Sequence, residues 1–128
     1  MKHKVRGKKI GRVTSHKNAM LANMAVSLLR HGRIKTTLVK SKALRTVVEP
    51  LITKAKQDSV HNRRHVAKTI RDKVVLKKLF TEIAPSFQER NGGYTQIFKI
   101  GPRANDGAFM SYIQLTGFNP DETETVAE

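Results

Sequence analysis

Apolar residues in the first third of the chain recur at the spacing of one helix face. Ser15 is a candidate N-cap and Gly32 a candidate C-terminal stop, so we predict a first helix between these two residues. The apolar positions that form its stripe are Leu21, Met24, Ala25, Leu28 and Leu29.

A second, longer stripe predicts a helix from about Leu38 to Gln57 that contains a proline. Pro50 removes one backbone donor and would normally end a helix. However, the apolar stripe keeps its phase on both sides of Pro50, and the proline lies on the opposite, solvent-facing side. We therefore predict one kinked helix. Its stripe consists of Leu44, Val47, Val48, Leu51, Ile52 and Ala55.

Two shorter helices are predicted next. The first covers residues 59–71, is very basic and has only a narrow apolar edge. Asp72 can cap the second, over residues 73–83, and Ala84-Pro85 should end it.

Three segments alternate with a period of two, which is typical of strands. They are residues 33–37, 94–100 and 109–116. Residues 101–107 have the composition of a turn, so the last two segments predict a hairpin with Arg103 in its loop. The order helix–strand–three helices–two strands predicts an α+β fold, with a small three-stranded mixed sheet covered by helices. We expect Tyr94, Phe98 and Tyr112 in the core.

The two ends of the chain differ from this pattern. Residues 1–14 hold six Lys or Arg and no acid, and we predict a flexible basic arm. Residues 119–128 are acidic, lack a stripe and are predicted to be disordered. One α+β domain over residues 15–118 remains.

Charge identifies the class of partner. The chain has 25 Lys and Arg against 10 Asp and Glu, a net charge of +15. Residues 1–120 hold all 25 bases and only six acids, a net charge of +19. Such a domain needs a polyanion to neutralise it, and nucleic acid is the usual one.

Other classes find little support in the sequence. Cysteine is absent, which fits a reducing compartment. We find no leader peptide and no apolar run of the length that a membrane span needs, so we expect an intracellular protein without a membrane partner. Every long stripe can be used in one core, which favours a monomer when the chain is free.

Catalysis and metal binding are also disfavoured. His61 and His65 have the i, i+4 spacing of metal ligands, but Arg63 and Arg64 lie between them and no third ligand is near. No serine or threonine belongs to a recognisable nucleophile motif, and the acids are few. We expect no enzyme activity, no cofactor, no metal and no small-molecule substrate.

Three nucleic-acid functions remain open from the residues alone. An RNA-binding structural protein would use the charge together with the shape of folded RNA. A DNA-compacting protein is permitted by the charge, although we find no groove-fitting element or dimer interface. An RNA-modifying enzyme would need a cofactor loop or nucleophile, which we do not find.

Several motifs resemble one known family. The chain opens with MKH, GKKIGR and HKNAMLAN, continues with RIKTTLVKSK at 33–42 and VEPLIT at 48–53, and carries APSFQERNGGYTQI at 84–97. Together these segments are similar to the bacterial large-subunit ribosomal protein seventeen family over most of residues 1–118. The resemblance implies a cytoplasmic structural constituent of the large ribosomal subunit. Its partners would be large-subunit rRNA and neighbouring large-subunit ribosomal proteins.

The resemblance also implies which basic residues face RNA. In the arm these are Lys2, His3, Lys4, Arg6, Lys8, Lys9 and Arg12, and in the first helix His16 and Lys17. Further along the chain they are Arg33, Lys35, Lys40, Lys42, Arg63, Arg64 and Arg103.

Overall fold

A computed structural model describes residues 14–117 of the chain. The predicted arm at 1–14 and tail at 119–128 therefore fall almost entirely outside the described residues. The predicted α+β class and the predicted order of elements are confirmed. The elements are α1 Thr14–His31, β1 Arg33–Thr37, α2 Leu38–Ala55, α3 Val60–Ala67, α4 Lys73–Lys78, a π-helix Leu79–Ile83, α5 Ala84–Ser86, β2 Thr95–Pro102 and β3 Phe109–Leu115.

The sheet is antiparallel throughout, so the predicted mixed sheet is wrong. Its strand order is β1-β3-β2, and both outer strands pair antiparallel with β3. A parallel pair would require β1 beside β2, since these two strands run in the same direction. The hairpin places β3 between them and uses both edges of β3.

The register divides the sheet into two faces. On the inner face, Ile113 of β3 lies between Ile34 of β1 and Ile97 of β2, under the helices. The outer face carries the alternate residues, including Lys35, Tyr112 and Phe98 in one row.

Helix α2 is the centre of the core, because it packs against all three strands and against α1 and α3. It begins at Thr37, whose side-chain oxygen accepts a hydrogen bond from the Lys40 N–H. Near this end, the Ser41 and Ser111 hydroxyls form a buried 2.6 Å hydrogen bond that joins the helix to β3. The helix continues through Pro50, which is exposed, while the predicted stripe faces the core. The prediction of one helix across Pro50 is confirmed.

Helix ends differ from the predicted ones in two places. Helix α1 already includes Ser15, so this residue is not its N-cap, whereas Gly32 ends the helix with a positive φ of 81° as predicted. Helix α3 ends at Ala67, and residues 68–72 form a loop rather than a last helical turn.

The segment after Asp72 is helical for longer than predicted. Asp72 caps α4, and its carboxylate accepts from the Val74 and Val75 N–H groups. Pro85 does not stop the helix, because the backbone changes to π geometry before it. The Ala84 N–H bonds to the Leu79 carbonyl, five residues back, and the helix then ends at Ser86. Within residues 14–117, no helix has the length and apolar character needed to cross a bilayer.

Candidate nucleic-acid interface

The exposed N-terminal half of α1 is flanked by two grooves. The α1–β1 groove lies between this helix and β1 and has a volume of about 790 Å³. The α1–loop groove lies between the helix and residues 68–72, with a volume of about 770 Å³. Ser15, Ala19 and Asn23 line both grooves, at i, i+4 and i+8 of the helix. These small side chains form a low ridge that another molecule can approach closely.

The α1–β1 groove brings together three of the predicted RNA-facing residues. His16 comes from α1, Lys35 from β1 and Lys40 from the first turn of α2. The side chains of Met20 and Ile34 add apolar surface to the groove. None of the lining residues within 14–117 is acidic, so this part of the groove is cationic.

The α1–loop groove contains two cations that are not among the residues predicted individually to face RNA, Lys68 and Arg71. The sequence predicts both at the end of a helix, whereas they lie in the loop that faces α1. Asp72 is the acid of this groove, and its carboxylate already caps α4 and pairs with Arg30 of α1. The run of basic residues at 63–71 was visible in the sequence, but its position beside α1 depends on the tertiary fold.

Two of the predicted arginines are engaged by acids of the chain. Arg63 holds Asp58 through two hydrogen bonds, with Nε–Oδ1 2.6 Å and Nη2–Oδ2 2.9 Å. Arg103 holds Asp106 in the same bidentate way, with Nε–Oδ1 2.8 Å. Each arginine lowers the pKa of its partner carboxyl, chiefly through the side-chain hydrogen bond. A phosphate would have to compete with these carboxylates for the two guanidinium groups.

The other predicted residues are spread over the surface. Lys17 is half-buried on α1, Lys42 is exposed on α2 and Arg64 is exposed on α3, and none of the three lines either groove. The seven predicted arm residues, from Lys2 to Arg12, lie outside the described residues.

The two histidines of α3 are exposed in cationic surroundings. The pKa of His65 is lowered, first by the charge of Lys54, then by desolvation and by the charges of Lys68 and His61. In the described part of the chain, no group of three or more His, Asp or Glu side chains is placed to hold a metal ion.

The three aromatic residues that we expected in the core have different environments. Tyr94 is buried against Phe87, with ring centroids 5.3 Å apart, as predicted. Tyr112 is only half-buried, and the Arg33 guanidinium lies over its ring at 4.0 Å. Phe98 is 49% exposed, so its predicted core position is wrong. The register places Phe98 on the outer face, away from α2.

A comparison with known families covers most of the described chain. A family model described as Ribosomal protein L17 matches residues 20–116, which is more than half of the chain. The matched segment contains β1, the 68–72 loop, the complete sheet and most of α1. The chain therefore belongs to the ribosomal protein L17 family, a class of non-enzymatic structural constituents of the large ribosomal subunit.

Proposed function

We propose that this protein binds large-subunit rRNA through α1 and its two grooves, and thereby stabilises folded rRNA within the subunit. One observation carries the proposal: basic residues flank a helix ridge of small side chains on both sides. His16, Lys35 and Lys40 lie on one side of the ridge, and Lys68 and Arg71 on the other.

The geometry suits the backbone of structured RNA. The ridge of Ser15, Ala19 and Asn23 permits close approach, and cations in both grooves can neutralise phosphates on either side of it. Helix α1 has no acid in its first turn, so the positive end of its dipole is not offset locally. Recognition of this kind depends on shape and phosphate geometry. The basic residues of the arm, from Lys2 to Arg12, would add further phosphate contacts.

Contacts with neighbouring large-subunit proteins are a second part of the proposal. Val60 at the start of α3 and Val74 in α4 are large apolar side chains that are mostly exposed. Neither lines the α1 grooves. Exposed apolar side chains away from the cationic surface suit a protein neighbour better than a polyanion. We expect the protein to act in the cytoplasm, within the large subunit, without a cofactor.

The groove proposal is tested by the salt dependence of rRNA binding. We expect the double variant Lys35→Gln/Lys40→Gln to bind large-subunit rRNA more weakly than the wild type. Loss of two phosphate contacts should reduce the log–log salt slope by roughly 1.4–1.8. The measurement is filter binding over a range of salt concentrations.

A matched control separates position from total charge. The variant Lys54→Gln/Lys77→Gln also removes two positive charges, from exposed lysines outside both grooves. We expect it to leave the slope nearly unchanged. Equal reductions in the two double variants would show that only net charge matters and would contradict a groove interface.

Competition with duplex DNA tests the remaining alternative function. A protein that binds folded rRNA specifically should remain bound to rRNA when an equal mass of duplex DNA is added. Displacement by DNA would instead support the DNA-compacting function that the charge alone permits.

A further inference from the structure

The outer face of the sheet carries cations, amides and aromatic rings in two adjacent rows. The register places Arg33, Gln114 and Gln96 in one row across β1, β3 and β2. The next row contains Lys35, Tyr112 and Phe98 in the same strand order. In each row the cation lies on the edge strand β1, beside the amide or aromatic side chains of β3 and β2.

The aromatic row has the geometry of a stacking surface. Tyr112 and Phe98 are direct cross-strand partners, on strands about 4.8 Å apart. Phe98 is 49% exposed, and the Arg33 guanidinium lies over Tyr112 with its Cζ 4.0 Å from the ring centroid. Ile100, the extra residue of a bulge in β2, is also about half exposed and extends the apolar surface. An exposed ring beside an arginine–tyrosine pair offers planar groups to which a base can stack.

Charge distinguishes the possible occupants of this face. No residue of β1, β2 or β3 is acidic, whereas Arg33 and Lys35 supply positive charge at one edge. An apolar protein segment would leave these cations without partners, while a nucleic acid would supply phosphates. The amides of Gln96 and Gln114 can both donate and accept hydrogen bonds, as the edges of unpaired bases require.

We propose that the outer face binds an unpaired stretch of RNA, with bases stacked on Phe98 and on the Arg33–Tyr112 pair. Lys35 binds a phosphate of the same RNA strand. This inference rests on the proposed rRNA-binding function and goes further, because it assigns single-stranded nucleotides to this face and structured RNA to the α1 grooves. Lys35 belongs to both surfaces, so one RNA can pass from the groove to the sheet.

Tyrosine fluorescence gives a direct readout. The chain has two tyrosines and no tryptophan, so Tyr94→Phe leaves Tyr112 as the single intrinsic probe. Tyr94 is buried against Phe87, and the phenylalanine that replaces it supplies the same aromatic ring. The probes are a single-stranded oligoadenylate of about eight nucleotides and an RNA duplex of the same length. We expect the single strand to quench Tyr112 and the duplex to leave it nearly unchanged.

Substitution of the exposed ring tests the stacking itself. In the same background, Phe98→Ala should weaken oligoadenylate binding by roughly 5- to 150-fold, the effect of losing one base–aromatic stack. Phe109→Ala is the matched control: Phe109 lies in the same hairpin and is 65% exposed, but its partner is Pro102, outside the aromatic row. We expect this control to bind like the background protein. Circular dichroism melting curves verify that all variants are folded.

The possible results separate this inference from the proposed function. Unchanged oligoadenylate affinity in Phe98→Ala, equal losses in the two variants, or quenching by the duplex alone would overturn the stacking inference. If the wild type still binds large-subunit rRNA in the salt experiment, the proposed function stands without it. Failure to bind rRNA at all would overturn both.

Discussion

The two faces of the sheet are built from alternating residues of the same strands, yet they differ in burial and in chemistry. Ile113 on the inner face is fully buried, and its neighbour in the chain, Tyr112, is half-buried under an arginine on the outer face. The inner face also carries the Ser41–Ser111 hydrogen bond, which joins the sheet to α2. Within residues 14–117, the outer face presents cations and partly exposed rings. We therefore expect that mutations on opposite faces of this sheet separate the stability of the fold from the proposed RNA binding.

The largest effect should come from the inner face. Ile113→Ala removes a buried side chain that packs among α2 and the other strands, and we expect a loss of about 2–5 kcal/mol in the free energy of unfolding. Phe98→Ala on the outer face should lower that free energy by about 1 kcal/mol or less, since this half-exposed ring loses only its cross-strand contact with Tyr112. Urea denaturation of both variants measures the difference. Similar losses in the two variants would mean that the outer face is also part of the stabilising core.

A smaller effect is expected on the salt dependence of rRNA binding, in which the outer face and the hairpin loop should differ. Lys35→Gln should reduce the salt slope of rRNA binding by roughly 0.7–0.9, the contribution of one phosphate contact. Arg103→Gln should reduce it by less, because Asp106 already neutralises this guanidinium. A larger reduction from Arg103→Gln would show that the Arg103–Asp106 pair opens to bind RNA. In that case the β2–β3 loop would be one of the principal contacts with rRNA.

The smallest effect concerns the loop carboxylate. Hydrogen bonds from Arg103 and then from the Ala108 N–H lower the pKa of Asp106 below the usual carboxyl value. Because the folded-state pKa lies below the unfolded one, the pair stabilises the loop above the unfolded pKa, and this contribution is lost as the pH falls through the folded pKa. A carboxyl NMR titration should show the lowered pKa in the wild type and a rise in Arg103→Gln. An unchanged pKa in the variant would mean that the ion pair does not form in solution.

Local sequence signals were sufficient for much of the fold. The strand at 33–37, the helix through Pro50 and the Asp72 cap each depend on residues close together in the chain, and the structure confirms them. The mixed sheet was wrong because strand order depends on which strands meet in space. The π-helix before Pro85 was missed for a different reason. The apolar pattern is the same whether the helix ends before the proline or changes to π geometry and continues.

The candidate site was harder to predict from the sequence than the fold. Composition identifies a polyanion-binding chain, but it does not show which cations already have partners. The Arg103–Asp106 pair has a spacing of three residues in a loop, and this spacing was a usable signal. The grooves beside α1 had no such signal, because Lys35 and Lys68 reach this helix only through tertiary packing. Alternation in β2 indicates that Ile97 and Phe98 point to opposite faces of the sheet. It does not indicate which of these two side chains points toward the helices.

The most direct test of rRNA binding is sedimentation of a cell lysate through a sucrose gradient, before and after a high-salt wash. Binding by shape as well as charge predicts that the protein sediments with the large subunit and stays there after the wash. The variant Lys35→Gln/Lys40→Gln should be released at lower salt than Lys54→Gln/Lys77→Gln. Release of the wild-type protein by salt, or its migration with the nucleoid, would contradict an integral rRNA-binding role and leave only a general affinity for polyanions.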